Sequence, residues 1–226
     1  MSNGTCPKTE IYVENRKKER KKNNLLNVDS NMLPSKIYHE QQVSQLCALH
    51  ALNNLYQRRN LFTKQKLDAY CYELTPRGWL NPHRSWLGWG NYDVNVIMYA
   101  VQQQQCQAIW FDKRRDPDCL NFPRIFGYIL NMATPPGWRN YVTLPIWGGR
   151  HWLALRCIGD DYYNLDSKLS APECIGNESN FVEFLRAHLS SESSGDQELL
   201  IIVQQFEEEE EQLPQSWLKP EYRLST

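Results

Sequence analysis

The chain has 226 residues, 25 Lys+Arg against 26 Asp+Glu for a formal net charge of −1, and eight Trp and twelve Tyr. That supports one medium domain with a real core plus tails, and the net charge by itself points to no partner. No stretch approaches the length of a membrane span, the polar start MSNGTCPKTE lacks the apolar core of a secretory signal, and seven cysteines without a CxxC argue against a disulfide framework and the strongest zinc signals.

A reducing, cytoplasmic or nuclear setting is therefore expected, and the Asn-X-Ser/Thr triplets at Asn3 and Asn177 read as chance matches. Residues 1–34 read as a flexible basic extension, because the run RKKERKK at 16–22 repels itself and prefers solvent. The same run also suits a nuclear address, an acidic partner, a membrane surface or a nucleic-acid patch. The folded domain is placed at residues 35–205. Within it, Ser44 is a candidate N-cap for a helix in which Ala48, Ala51, Leu52, Leu55 and Tyr56 share a face. Thr63 begins a second helix, with Leu67, Tyr70, Cys71 and Leu74 on one side. Residues 75–90, TPRGWLNPHRSWLGWG, are dense in Pro, Gly and Trp and long for a connection, which suggests a protruding arm or lid. A third helix is predicted from about Tyr92 to Gln105, burying Val94, Ile97, Met98 and Val101. The spacing of Phe122, Ile125, Phe126, Ile129 and Leu130 predicts a fourth, and Phe181, Phe184, Leu185 and His188 a fifth.

Strands are expected at Gln107–Phe111, Val142–Ile146, His151–Ile158, Tyr162–Asp166 and Leu199–Gln204, where β-branched and aromatic residues concentrate. Two of these form a hairpin turning at Gly159-Asp160. Helices dominate the first half and strands the second, which predicts an α+β domain with a helical lobe packed against an antiparallel sheet. After it, EEEEE at 207–211 marks residues 206–226 as a flexible acidic tail.

The stretch SQLCALHALNNL, residues 44–55, places a thiol near a helix start. Unpaired N–H groups and the positive dipole end there favour the thiolate, which is the form that attacks carbonyl carbon. A small core residue is the plain alternative for Cys47. A nucleophile would need a base and a group to orient it. Of the five histidines, His50 is a helical neighbour suited to local hydrogen bonding, His39 precedes the helix as a loop anchor, His83 lies in the arm and His188 on the last helix. His151 differs: it follows Gly148-Gly149-Arg150 and opens a strand. Hairpin partners about Gly159-Asp160 have numbers summing to about 319, so Asp166 falls about opposite His151 and can hold the imidazole's tautomer and angle. A surface cross-strand His–Asp pair is the plain alternative. An oxyanion formed during acyl transfer would need donors. The Cys47 N–H is one, and Gln41, Gln42 or Gln45 supplies a side-chain amide. Gln45 is too close to the helix tip to turn back, and spacing does not separate Gln41 from Gln42.

With IYHEQQVSQLCALHALNNLYQ at 37–57, WGNYDVNVIMYAVQ at 89–102, and the later HWLALR and YYNLDS, the chain resembles the Josephin-domain family of cysteine proteases, in particular its compact Josephin-only members. The likeness runs from about Ile37 to Val203 in the same order. It implies a papain-like fold and deubiquitinase activity, with ubiquitin, polyubiquitin chains and ubiquitinated proteins as partners, no nucleic acid, and no metal or organic cofactor. Carried onto this sequence, the family pattern makes Cys47 the nucleophile, His151 the base, Asp166 the orienting residue, at a position where the family has Asn or Asp, and Gln42 the oxyanion donor. Trp152 is expected to wall a narrow cleft or to sit in the core, and Trp86 or Trp89 to rest on ubiquitin or to pack the arm. The competing expectation is a weakly active or latent ubiquitin-binding module switched by modification or partners. The location implied is cytoplasmic, with nuclear or membrane association left open by the basic run.

Overall fold

Among the described residues, six strands set the frame. In the computed structural model, which describes residues 37–42, 46–76, 83, 92–133, 150–190, 197–205 and 215–223, these are β1 (Cys106–Trp110), β2 (Gly127–Ala133), β3 (Arg150–Ile158), β4 (Asp161–Asn164), β5 (Glu173–Gly176) and β6 (Glu198–Gln204). They form one sheet in the order β1-β6-β2-β3-β4-β5, with every neighbouring pair antiparallel. Among the described residues the α-helices are α1 (Cys47–Tyr56), α2 (Lys64–Leu74), α3 (Val94–Gln102) and α4 (Glu178–Leu189). The described residues all fall in one unit spanning Lys36–Thr226.

Both faces of the sheet are buried, and the side-chain alternation of the central strands divides the core in two. Ile129, Trp152, Ala154, Leu200 and Ile202 face α1, α2 and α3. Tyr128, Leu130, Leu153, Leu155, Leu199, Ile201 and Val203 face α4 and the turns around Leu120 and Phe122. The expected α+β architecture is present, with a second layer: α4 covers the face opposite the three-helix lobe. Strands buried on both faces read as unbroken apolar runs such as LLIIV, as β6 does.

That property overturns the helix expected at 122–130. Residues Phe122–Arg124 form a single 3₁₀ turn, and Gly127–Ala133 is a central strand between β3 and β6. An apolar run of this length satisfies either period; Gly127 weakens the helical option from within and the ladder partners on β3 and β6 decide for a strand. The caps at α2, α3 and α4 follow local chemistry: Thr63 Oγ1 accepts from Lys66 N, Asp93 Oδ1 from Val96 N and Asn177 Oδ1 from Asn180 N. Asn177, read from sequence as a chance triplet, is thus the N-cap of α4. The third helix is shorter than expected and ends at Gln102; Gln105 then turns the chain with φ of 54° into β1.

The β3–β4 hairpin turns where predicted. Ile158 pairs with Asp161 and Leu155 with Asn164, all register partners summing to 319, and Gly159 adopts φ of 67° at the turn. β5 was not foreseen; it is a four-residue edge strand with an irregular register against β4. The stretch 142–146 and most of the arm at 75–90 lie outside the described residues. Residues 215–223, expected in a flexible tail, instead dock on the domain. Leu218 is fully buried and bridges Leu120, Asn121 N donates to Trp217 O, and Lys219 pairs with Asp118. The apolar Trp217-Leu218 pair explains the docking despite the acidic run before it. Among the described residues no helix is long and apolar enough to cross a membrane.

Candidate active site

The thiol stands at the very tip of α1. Cys47 is the first helical residue, behind Leu46 as an N-cap with no side-chain cap. This differs from the expected cap at Ser44, which lies outside the described residues, and moves the sulfur from the third helical position to the first. The first helical hydrogen bond is His50 N to Leu46 O at 3.1 Å. The N–H groups of Cys47, Ala48 and Leu49 therefore precede any helical acceptor, and the positive end of the dipole meets the sulfur.

His151, on β3, is buried. Its Nε2 lies 2.6 Å from Asp166 Oδ1, and the Cys47 thiol lies close enough to its ring to act on its charge. With Nε2 committed to the carboxylate, Nδ1 is the nitrogen left for sulfur. Burial opposes charge on this imidazole, but the bond to Asp166 and the influence of Asp166 and Cys47 on its charge outweigh it and hold the His151 pKa above its ordinary 6.5. Burial likewise opposes charge on Asp166; the His151 hydrogen bond and charge, with the N–H of Lys168, bring its pKa below 3.8. The two shifts agree in favouring the charged form of each partner.

Asp166 reaches His151 without joining the ladder. β4 ends at Asn164, whose Oδ1 accepts from Asp166 N in a tight turn, and Leu165 N returns to Ala154 O on β3. The predicted pairing was therefore correct in partner, and the two-number offset from 319 is taken up by this turn.

Gln42 is held against the same turn. Its N–H donates to Ser167 O at 2.8 Å, and its Oε1 accepts from Ser167 Oγ at 3.3 Å, which leaves the NH₂ as the outward-acting end of the carboxamide. Gln41 is exposed, with Nε2 3.4 Å from Leu169 O, and Gln45 lies outside the described residues. Trp152 is a core residue: it is buried and its Nε1 donates to Tyr92 O at 3.2 Å. The cleft-wall expectation is corrected accordingly, because alternation along β3 turns the indole into the helix-facing core. Trp86 and Trp89 lie outside the described residues. His39 Nε2 meets Leu169 O, as a loop anchor should, and His83 pairs with Asp93.

Sequence reasoning missed the residues underneath. Glu40 receives His50 Nδ1 at 2.7 Å, Asn53 Nδ2 and the Tyr38 hydroxyl. Burial opposes its charge, and these three donors more than offset that, so its pKa lies below the ordinary carboxylate value. Asn53 and Asn54 are buried in α1. The signal was visible: two adjacent asparagines, poor helix formers, in the middle of an apolar helix.

The residues from Gln42 to Ile202 match the Josephin family model. The chain belongs to the Josephin family. A Josephin-like protein of Drosophila melanogaster is 53% identical over 86% of this chain and 86% of its own length. Josephin-2 of Homo sapiens is 48% identical over 70% of this chain and 82% of its own. Ataxin-3 of Homo sapiens is more distant, 24% identical over 69% of this chain and 43% of its own. A solved Trichinella spiralis UCH37 catalytic domain, bound to ubiquitin vinyl methyl ester, aligns with a TM-score of 0.33 at 15% identity over 82% of this chain and 72% of that one, too remote to bear on the site. The Josephin family is one of cysteine-protease deubiquitinases; in this chain Cys47 opens a helix and His151 lies on the antiparallel sheet.

Proposed function

We propose that this Josephin-family chain hydrolyses the isopeptide bond between a ubiquitin C-terminus and a substrate amine, with Cys47 as nucleophile. The observation that carries the reading is the convergence of thiol, imidazole and carboxylate from α1, β3 and the turn after β4. His151 takes the thiol proton through Nδ1, and sulfur bonds to the carbonyl carbon. The carbonyl oxygen becomes an oxyanion, within reach of the Cys47 N–H and the Gln42 NH₂. The tetrahedral adduct collapses, the C–N bond breaks, and the imidazolium gives its proton to the departing amine. Water, deprotonated by the same imidazole, then adds to the thioester and releases the ubiquitin carboxylate and the free thiol. Asp166 keeps the tautomer that leaves Nδ1 facing sulfur and stabilises the transient imidazolium. Ubiquitin and its chains are the partners this chemistry requires, since a tail ending in two glycines can thread a narrow cleft that excludes side chains.

A ubiquitin probe carrying a C-terminal thiol-reactive group should label the wild-type protein under reducing conditions, and Cys47→Ala should abolish labelling. A folded wild type that stays unlabelled while ubiquitin binds it calorimetrically would sink the hydrolase in favour of a binding module.

A further inference from the structure

Three polypeptide segments carry the proposed machinery: residues 38–42 bring Gln42, α1 brings Cys47, and 165–169 bring Asp166. We infer that Asn54, through its buried carboxamide, is the positioning residue that locks these three segments in register for the reaction proposed above.

The side chain is fully buried two turns beyond Cys47 on the same helix, and each of its polar atoms is spent on a flanking backbone. Oδ1 accepts from Glu40 N at 2.6 Å. Nδ2 donates to Glu40 O at 3.1 Å and to Leu165 O at 3.0 Å. The amide thus pairs with Glu40 as a strand neighbour would, and with its remaining hydrogen it grips the residue before Asp166. Leu165 is held from the other side by Ala154 O on β3. A continuous set of hydrogen bonds therefore runs from the thiol's helix through Asn54 and Leu165 to the strand of His151. On the other arm, Glu40 is two residues from Gln42, whose N–H and carboxamide oxygen meet Ser167, the residue after Asp166. Asn54 thus bonds to both arms. Gln57, one turn on, makes a similar two-way clasp with Tyr38, and its Nε2 also donates to Asn54 O rather than to the second arm.

A mid-helix asparagine costs helix propensity, and a buried one with every polar atom committed has few tolerated replacements. Leucine would leave the Glu40 N–H and the Glu40 and Leu165 carbonyls without partners. Both arms would then be free to shift, and displacement of a donor or of the base by a fraction of an ångström falls on the transition state rather than on ubiquitin docking.

The test compares Asn54→Ala with Leu67→Ala, a core truncation on α2 that touches neither arm, using full-length protein and a fluorogenic ubiquitin C-terminal amide. For Asn54→Ala, kcat is expected to fall by roughly 10- to 100-fold with KM within about threefold, while alkylation of Cys47 by iodoacetamide, which forms no oxyanion, falls less. Leu67→Ala at equal or greater loss of thermal stability should keep kcat within about threefold. A folded Asn54→Ala with kcat unchanged, or with a loss no larger than that of Leu67→Ala, overturns the inference. Should Asn54→Ala not fold, hydrogen exchange of the wild type decides: the Glu40 amide must be protected as strongly as those of α1, and exchange at an open-chain rate overturns it. Absence of wild-type turnover would sink the hydrolase reading itself, whereas wild-type turnover with an indifferent Asn54 sinks only this inference.

Discussion

Replacing Asp166 separates two jobs that a single carboxylate performs. In the wild type its Oδ1 lies 2.6 Å from His151 Nε2, and both side chains are largely withdrawn from water, 6% and 15% exposed. Solvent screening is therefore weak, and the bond belongs with hydrogen bonds to charged groups, worth about 1.5–3 kcal/mol. At 1.36 kcal/mol per factor of ten, losing it in the transition state slows turnover by roughly 10- to 150-fold. Asp166→Ala loses both orientation and charge and should show that full loss in kcat for ubiquitin-amide hydrolysis. Asp166→Asn keeps an acceptor for Nε2–H but not the negative charge. It should retain most of the orientation and lose under about tenfold, the size expected of one neutral hydrogen bond, in line with a family pattern that has either residue at this place. Without the carboxylate, burial dominates at His151, and its pKa should drop, detectable by imidazole proton NMR. Equal kcat for Asp166→Ala and wild type, or an unchanged His151 pKa in Asp166→Asn, would refute the account of how this base is held.

The same pair sets a pH window for stability. His151's pKa is raised in the folded protein, so its contribution is complete below the unfolded value near 6.5 and lost as pH rises through the folded value; Asp166's is lowered, so its contribution is complete above 3.8 and lost as pH falls through the folded value. Urea unfolding should show the gap between wild type and Asp166→Ala widest between about pH 4 and 6.5 and narrowing on both sides. Gly127→Ala places a Cβ 2.6 Å from Leu55 Cδ1 and 3.2 Å from Leu155 O, where α1 crosses β2, and Leu55 is fully buried. Overpacking of about 1–3 kcal/mol should lower Tm, and a melting temperature equal to wild type would contradict the packing described. Arg156→Met removes a half-buried guanidinium that donates to Leu55 O and stacks on Phe126 at 4.3 Å; loss of that charged bond should cost about 1.5–3 kcal/mol in urea unfolding. Docking of the basic run at 16–22 to an acidic partner or membrane would make deletion of residues 1–30 change cellular location while leaving hydrolysis of ubiquitin amides intact, and unchanged location by fluorescence imaging would count against such docking.

What the sequence disclosed depended on how local the determining physics was. Thr63 and Asp93 cap helices through bonds spanning three residues, and such signals were legible or lay just beside the predicted start. The β3–β4 register followed from one two-residue turn, and with it the His151–Asp166 pairing across fifteen positions. The strand at 127–133 was not legible, because what makes it a strand is β3 on one side and β6 on the other, both distant in sequence. Helix α1 began two residues later than its polar approach suggested, since its true N-cap, Leu46, contributes no side-chain bond. Gln42 could not be told from Gln41 by spacing, and the distinguishing contact is a serine 125 residues away.

These failures share a cause that also explains how the site is assembled. Sulfur and imidazole belong to different elements whose relative placement no local motif encodes, so the fold must fix it by contacts between them. β3 meets α1 at both ends: His151 lies near Cys47 where the helix begins, and Arg156 donates to the carbonyl of Leu55 where it ends. A helix held at only one end could pivot, carrying its first residue sideways by ångströms. Burial lowers the Arg156 pKa to about 10, which still leaves it charged at neutral pH, beside a helix C-terminus whose partial negative charge favours a cation. A half-buried charge on β3 is therefore intelligible as a second anchor that fixes the angle between α1 and β3, and with it the approach of Cys47 to His151.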